Sequence, residues 1–417
     1  MAKHRGFNAD RFLDKFQRFE QLLRDFVRLW EGRVDLEPAT LDVPAMKRWL
    51  VEGTGQAKDE LVEALYQVYD LCTARGHEDL IAAIAEEPSY APDPDGRLPV
   101  ECLALKVRTE REDVFFLAYD RYSLWRAERF SIYKGFAPRP IRDLRAAARS
   151  FQEKLAAVFK DHKHSDRVLL RWYEEGSYVN FIVYHEKRTR ATLVFRGSKG
   201  RLKVEPHIYR PARQDFISYN AETGQVEIEA GYESEEAKLR RCFAEACLGE
   251  AEFFEHPEAA QRLWLGVLAE PYFEPVCPEA VRASLVELQF ALAQSHGPVF
   301  TVRSKDVLRT LELNGLRRKL VPELITRAAF KITFPDDRRG KRVEISGPNK
   351  VKFNRTTHAE EVFALLADWG ILVDEQVAVE SCAVSSEPVP VADHPAGGNG
   401  RFSHLAASGT GTLRRPR

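Results

Sequence analysis

Methionine is almost missing from this 417-residue chain, with only Met1 and Met46. That excludes an adaptable methionine-rich binding surface. No uninterrupted apolar run approaches the roughly 18 residues of a membrane helix, so no membrane partner is expected. The opening Met1-Ala2-Lys3-His4-Arg5 lacks the apolar stretch of a secretory signal. Cysteine is sparse: Cys72, Cys102, Cys242, Cys247, Cys277 and Cys382 show no framework spacing, which fits reduced thiols and a cytoplasmic location. Excess charge of one sign is also lacking, since 62 basic residues face 63 acidic ones.

What is present is segregation of that charge. Residues 187–213 hold nine cations and one acid, and residues 303–355 hold fifteen cations and six acids. Between them, residues 215–260 carry twelve acids and three cations. Blocks of this kind project local potentials that decide which partners approach.

The periodicity predicts an α+β multidomain chain. Apolar residues at Phe12, Phe16, Phe19, Leu22, Leu23, Phe26, Val27 and Trp30 recur at helical spacing. With a second helical stretch from Val43 to Glu86, they give an N-terminal helical region, 1–90. A turn-rich break at Tyr90–Gly96 precedes a central, mainly antiparallel α+β domain, 98–260. Its expected strands are Cys102–Val107, Val114–Tyr119, Val168–Trp172, Tyr178–His185, Ala191–Phe195, Arg201–Ile208, Phe216–Tyr219 and Gln225–Glu229. A helix is expected at 140–160. Gly197-Ser198-Lys199-Gly200 reads as a hairpin turn, and Ser234 as the cap of a helix that Gly249 stops. Residues 261–375 read as helix Pro278–Ser295, strand Val299–Arg303, a helix capped by Ser304, helix Leu316–Phe330, and strands around 331–334 and 342–346. That order resembles a winged helix-turn-helix. A capping box at Thr357–Glu360 opens one more helix. From 376 to 417 the composition is that of a disordered tail.

In this reading the helix 316–330 offers Arg317, Arg318, Lys319 and Arg327 to a groove. The following loop and strands add Arg338, Arg339, Lys341, Arg342, Lys350 and Lys352 for phosphates. A secondary basic hairpin carries Arg196, Lys199, Arg201 and Lys203, with Tyr209 and Arg210 able to stack a base. The expected partners are DNA or RNA together with other proteins, and no cofactor is expected.

Catalytic patterns are weak, so the chain reads more as a binder than as an enzyme. Asp215, Glu227 and Glu229 echo the acidic set of metal-dependent nucleases, but Glu229 stands where a lysine would help activate water. Cys242 and Cys247 lie about 140° apart around a helix, which does not suit one zinc. His162 and His164 have no clustered acid or thiol. Three functions follow as expectations. The first is a nucleic-acid-binding or adaptor protein in a larger cytosolic complex, for example one acting against mobile DNA. The second is a metal-dependent nuclease, and the third a purely structural subunit.

Overall fold

The computed structural model describes residues 7–53, 55–160, 165–196, 203–292, 297–337 and 339–373. The tail from 376, the turn at 197–200, and His162 and His164 lie outside them.

Seven helices come first: α1 (Ala9–Leu13), α2 (Glu20–Arg28), α3 (Val43–Glu52), α4 (Gln56–Asp70), α5 (Ala74–Ala85), α6 (Val100–Glu110) and α7 (Glu112–Arg126). Their starts follow from capping chemistry. The side chains of Asn8, Asp42 and Thr73 each accept a backbone N–H three residues on, satisfying a donor that the first turn leaves unpaired. Leu13, Phe16, Phe26, Met46, Leu65, Leu105 and Phe115 close a common core. Helical structure therefore runs to residue 126, and the expected strands 102–107 and 114–119 are α6 and α7. Cys102, Leu103, Ala104, Leu105 and Val107 are all buried. The polar edge of α6 is confined to Glu101, Lys106, Thr109 and Glu110, and a short apolar run of this kind cannot be told from a strand.

The remainder forms a large antiparallel sheet with helices on it. In chain order the elements are β1 (Arg129–Lys134), α8 (Leu144–Phe159), β2 (Val168–Glu175), β3 (Tyr178–Glu186), β4 (Arg190–Arg196), β5 (Lys203–Tyr209), β6 (Ala212–Asn220), β7 (Gln225–Glu229) and α9 (Glu233–Leu248). They continue as β8 (Arg282–Ala291), β9 (Val299–Arg303), α10 (Val307–Leu313), β10 (Ile325–Thr333), β11 (Lys341–Ser346), β12 (Lys350–Lys352) and α11 (Ala359–Asp368). Ten strands pair in the order β2-β3-β6-β7-β1-β12-β11-β10-β8-β9, while β4 and β5 pair only with each other. β1 bonds to β7 on one side and β12 on the other, so the sheet runs unbroken across residue 260. Among the described residues no helix is long and apolar enough to cross a membrane.

Two expected helices are strands. Residues 282–291 form β8, where Leu285, Leu288 and Phe290 face one core. The register shifts between Ala329 and Phe330 of the partner strand, and the extra residue of that bulge produces a spacing of three that imitates a helix. Residues 316–330 hold two 3-10 turns, Arg317–Lys319 and Pro322–Leu324, followed by β10. There Ala328, Phe330 and Ile332 alternate with Arg327, Ala329 and Lys331, and sheet pairing on both sides overrides the helical preference of the two alanines. No helix stands where the groove-reading helix was expected. The helix before it is α10, and its cap is Asp306 rather than Ser304.

The two halves of the sheet are covered on opposite faces. On the half from β2 to β7, α8 and α9 pack Phe151 and Phe243 onto Phe181, Ile217, Tyr219 and Ile228. The reverse of that half meets the end of α7 through Leu124, Phe130, Ile182 and Phe216. On the half from β12 to β9, α10 and α11 cover Leu285, Phe330, Val343, Ile345 and Val351. Ser131 of β1 pairs with Ile228 on one side and Lys350 on the other. Cross-strand partners share a face, so the face under α8 and α9 continues past β1 as the face bearing Lys350. Beyond the start of α9 no helix lies on it among the described residues.

Candidate nucleic-acid interface

The uncovered face is built by period-two alternation on six strands. The register places Arg303 (β9), Arg282, Glu287 and Gln289 (β8), Arg327, Ala329 and Lys331 (β10), Arg342 and Glu344 (β11), Lys350 and Lys352 (β12) and Arg129 (β1) on it together. Eight cations thus share one surface with two carboxylates. Arg282, Arg303, Lys331, Arg342, Lys352 and Arg129 are exposed, and Arg327 and Lys350 half-buried. At strand separations of about 4.8 Å the six strands span roughly 24 Å.

The carboxylates lie beneath the arginines and organise them. Glu287 accepts from Arg303 Nε at 3.0 Å and Arg342 Nη2 at 2.6 Å, and its side chain is only 4% exposed. Glu344 accepts from Arg342 Nε at 2.9 Å and also from Arg327 Nη2. Burial pulls the Glu287 carboxyl upward, but Arg303 and Arg342 outweigh it and hold the group below its ordinary value. Glu344 is held low in the same way by Arg342 and Arg327 against its own burial. Three guanidiniums share two carboxylates, which leaves net positive charge and fixes the planes of the forks.

At the inner border of this face, a cavity of about 190 Å³ opens between α9 and the strands, lined by Arg129, Ser131, Tyr232, Glu233, Glu236 and Lys350. Lys350 pairs with Glu233, and Glu236 accepts from Ser131 Oγ at 2.9 Å and from Tyr133 Oη. The first turn of α9 thus already holds its own acids against the helix dipole.

The residues expected to bind nucleic acid separate into three groups. Arg327, Arg342, Lys350 and Lys352 lie on the uncovered face. Arg318 and Lys319 are exposed on a 3-10 turn and Arg339 in the β10–β11 turn, while Arg338 lies outside the described residues. Arg317 and Lys341 are structural. Arg317 Nη2 donates to the carbonyls of Glu270 and Phe273 at 3.0 and 2.7 Å. Lys341 is buried on the opposite face, where its Nζ donates to the Asn354 carbonyl at 3.2 Å and burial lowers its pKa. The members that sequence reasoning missed as parts of one surface are Arg129, Arg282, Arg303, Lys331 and the organising Glu287. Their signal is alternation, as in Arg327-x-x-x-Lys331 and Lys350-x-Lys352, and it appears only once the segments are read as strands. Of the secondary hairpin, Lys203 is exposed on β5. Lys199, Arg201 and the side chain of Arg196 lie outside the described residues.

Asp215, Glu227 and Glu229 do not converge. Glu229 pairs across with Phe216, so it shares a face with Phe216 while Asp215 points to the other side. Asp215 is fully buried, accepts from Arg213 Nε at 2.6 Å, and lies 2.7 Å from His185 Nε2. Gly231 leaves room for the Arg213 guanidinium: a Cβ there would stand 2.0 Å from Nη1. Glu227 accepts from Arg355 Nη1 at 2.6 Å. Among the described residues, the group that gathers at metal-ligating separation is His185, Asp215 and Glu235, their ligand atoms within 4.8 Å of one another. Lys187 pairs with Glu235 and Arg213 with Asp215, so both carboxylates already have cationic partners that a metal ion would have to displace.

Glu229 has a separate consequence. Burial pushes its carboxyl up to about 7, with Arg213 and Arg355 opposing the shift and Asp215 and Glu128 reinforcing it. The folded protein therefore keeps a proton that the unfolded chain has released, and this stabilisation is lost as pH rises from about 4.5 through about 7. Urea denaturation should find Glu229→Gln more stable than the parent at pH 8, by up to about 3 kcal/mol, with the difference shrinking toward pH 5. An equal difference at both pH values would contradict this.

No protein-family model matches the chain, and no curated protein shows significant similarity to it.

Proposed function

We propose that this protein binds nucleic acid through the uncovered face of β1 and β8–β12, holding the phosphodiester backbone without reading bases. The observation that carries the reading is eight cations on one face, opposed by Glu287 and Glu344 within it and by Glu233 at the α9 border, where it pairs with Lys350. Densely spaced phosphates are the ligand that such a lattice of guanidinium and ammonium groups suits. Three of the arginines are already held by Glu287 and Glu344, so less side-chain entropy is lost on contact. The only aromatic residue contributed to the face by its strands is Tyr133, which is buried. Tyr232 at the α9 border offers one exposed ring, whereas single-strand readers stack successive bases on several, so the preferred ligand is a duplex and its sequence is immaterial.

Fluorescence anisotropy with labelled duplexes of unrelated sequence, titrated from 50 to 200 mM salt, tests the reading. The logarithm of the association constant should fall linearly with that of salt, at about 0.9 per phosphate neutralised. Four to six contacts would give slopes near −4 to −5. Unrelated duplexes should superimpose. Absence of binding to duplex, single strand or RNA at the lowest salt would overturn the reading and leave a structural subunit as the better description.

A further inference from the structure

The β4–β5 ribbon points to a second site of contact. It prolongs the β3–β6 hairpin beyond the sheet, joined by the bond from Lys187 N to the Pro211 carbonyl at 2.8 Å, and its strands pair with nothing else. The register opposes Ala191 to Ile208, Leu193 to Pro206 and Phe195 to Val204. One face of the ribbon is therefore apolar from end to end, and it is open to water. Leu193 is 71% exposed, Phe195 75%, Val204 54% and Ile208 66%. The other face carries Arg190, Thr192, Lys203, Glu205, His207 and Tyr209.

We propose that this apolar face is a dimer interface, covered by the same face of a second copy of the chain. Three arguments select that occupant. An isolated two-stranded ribbon is only marginally stable in water, so the conformation of β4–β5 itself calls for a second layer. The apolar face bears no charge, and a complementary surface must be equally flat and uncharged, which the ribbon itself provides. A two-fold axis sets identical patches together, with the two layers about 10 Å apart and Arg190 and Lys203 turned outward on either side. At the exposures given, each copy offers roughly 500 Å² of apolar surface, a large patch for a monomer. Two copies would bury about 1,000 Å², near the lower bound of a specific interface.

Sedimentation velocity of the full chain between about 1 and 50 µM tests this. The parent should associate to a dimer in that range. The Leu193→Asp/Phe195→Asp protein should remain monomeric throughout, its dissociation constant raised at least 100-fold, with the circular dichroism signal of the folded chain retained because neither residue touches a core. A parent that is monomeric at every concentration would overturn the proposal. So would a dimer that survives the double substitution, which would place the interface elsewhere. Monomeric parent that sediments with phosphatidylcholine–phosphatidylserine vesicles, and loses this in the double variant, would likewise overturn it by making a lipid surface the occupant.

Discussion

Reversing Arg282, Lys331 and Lys352 to glutamate in one protein is expected to reduce duplex affinity by about a thousandfold or more at 100 mM salt. The three side chains are exposed and stand outside the cluster in which Glu287 and Glu344 hold Arg303, Arg327 and Arg342. The substitutions therefore leave the organised arginines in place while cancelling the excess charge of the face, whose eight cations would become five against five acids. Loss of three phosphate contacts alone should flatten the salt slope by nearly three. The added repulsion lowers affinity further, without selectivity for sequence. Stability should change little, because surface substitutions away from packed or paired groups cost within about 0.5 kcal/mol. Anisotropy at three salt concentrations, with circular dichroism as control, decides the matter. Undiminished affinity in the triple variant would show that phosphates are held elsewhere, Arg318, Lys319 and Arg339 being the alternative cations.

The parts of the fold that could be read from the sequence are those whose own residues and turn-marked ends declare the element. β3, β6 and β7 are rich in β-branched and aromatic residues and end at short turns, which marks them as strands although both faces of β3 and β6 are buried, and α8 is amphipathic. The helix expected at Ala359–Trp369 from a capping box is α11, Ala359–Asp368, but its N-cap is His358 and no side chain closes the box. Reading failed where a neighbour removed the pattern. α6 buries four residues in a row, Cys102–Leu105, β8 contains a bulge, and β10 draws its conformation from pairing with β8 and β11 rather than from its own alanines. The candidate site inherited that failure. The cations of 303–355 can be counted in the sequence, but assigning 316–330 to a helix grouped Arg317 with Arg327, whereas the strand groups Arg327 with Arg303 and Arg342 through Glu287. Charge content is a local property of sequence. Which charges share a face depends on pairings among residues tens of positions apart.

Those long-range pairings concentrate at the centre of the sheet, and there a single substitution should have its largest effect on stability. Arg355 follows β12 and reaches back over β1 to Glu227 of β7, its guanidinium 4.4 Å from the Phe130 ring centroid and 5.4 Å from that of Phe363. Both members are buried or nearly so, with side-chain exposures of 15% and 5%. Replacing Arg355 by leucine strands the Glu227 carboxylate, to which Gln225 contributes only a 3.4 Å amide contact. Breaking a buried pair from one side costs about 3–5 kcal/mol, so urea denaturation of Arg355→Leu should show a loss of that size. Adding Glu227→Leu should recover most of it, since removing both charges leaves no unpaired group in the interior and the leucines can pack against Phe130. A loss below about 1 kcal/mol, or no recovery in the double variant, would mean that the pair is solvated. In that case the two covered halves of the sheet would be held together by the backbone ladder from β7 through β1 to β12 and not by the charges that cross it.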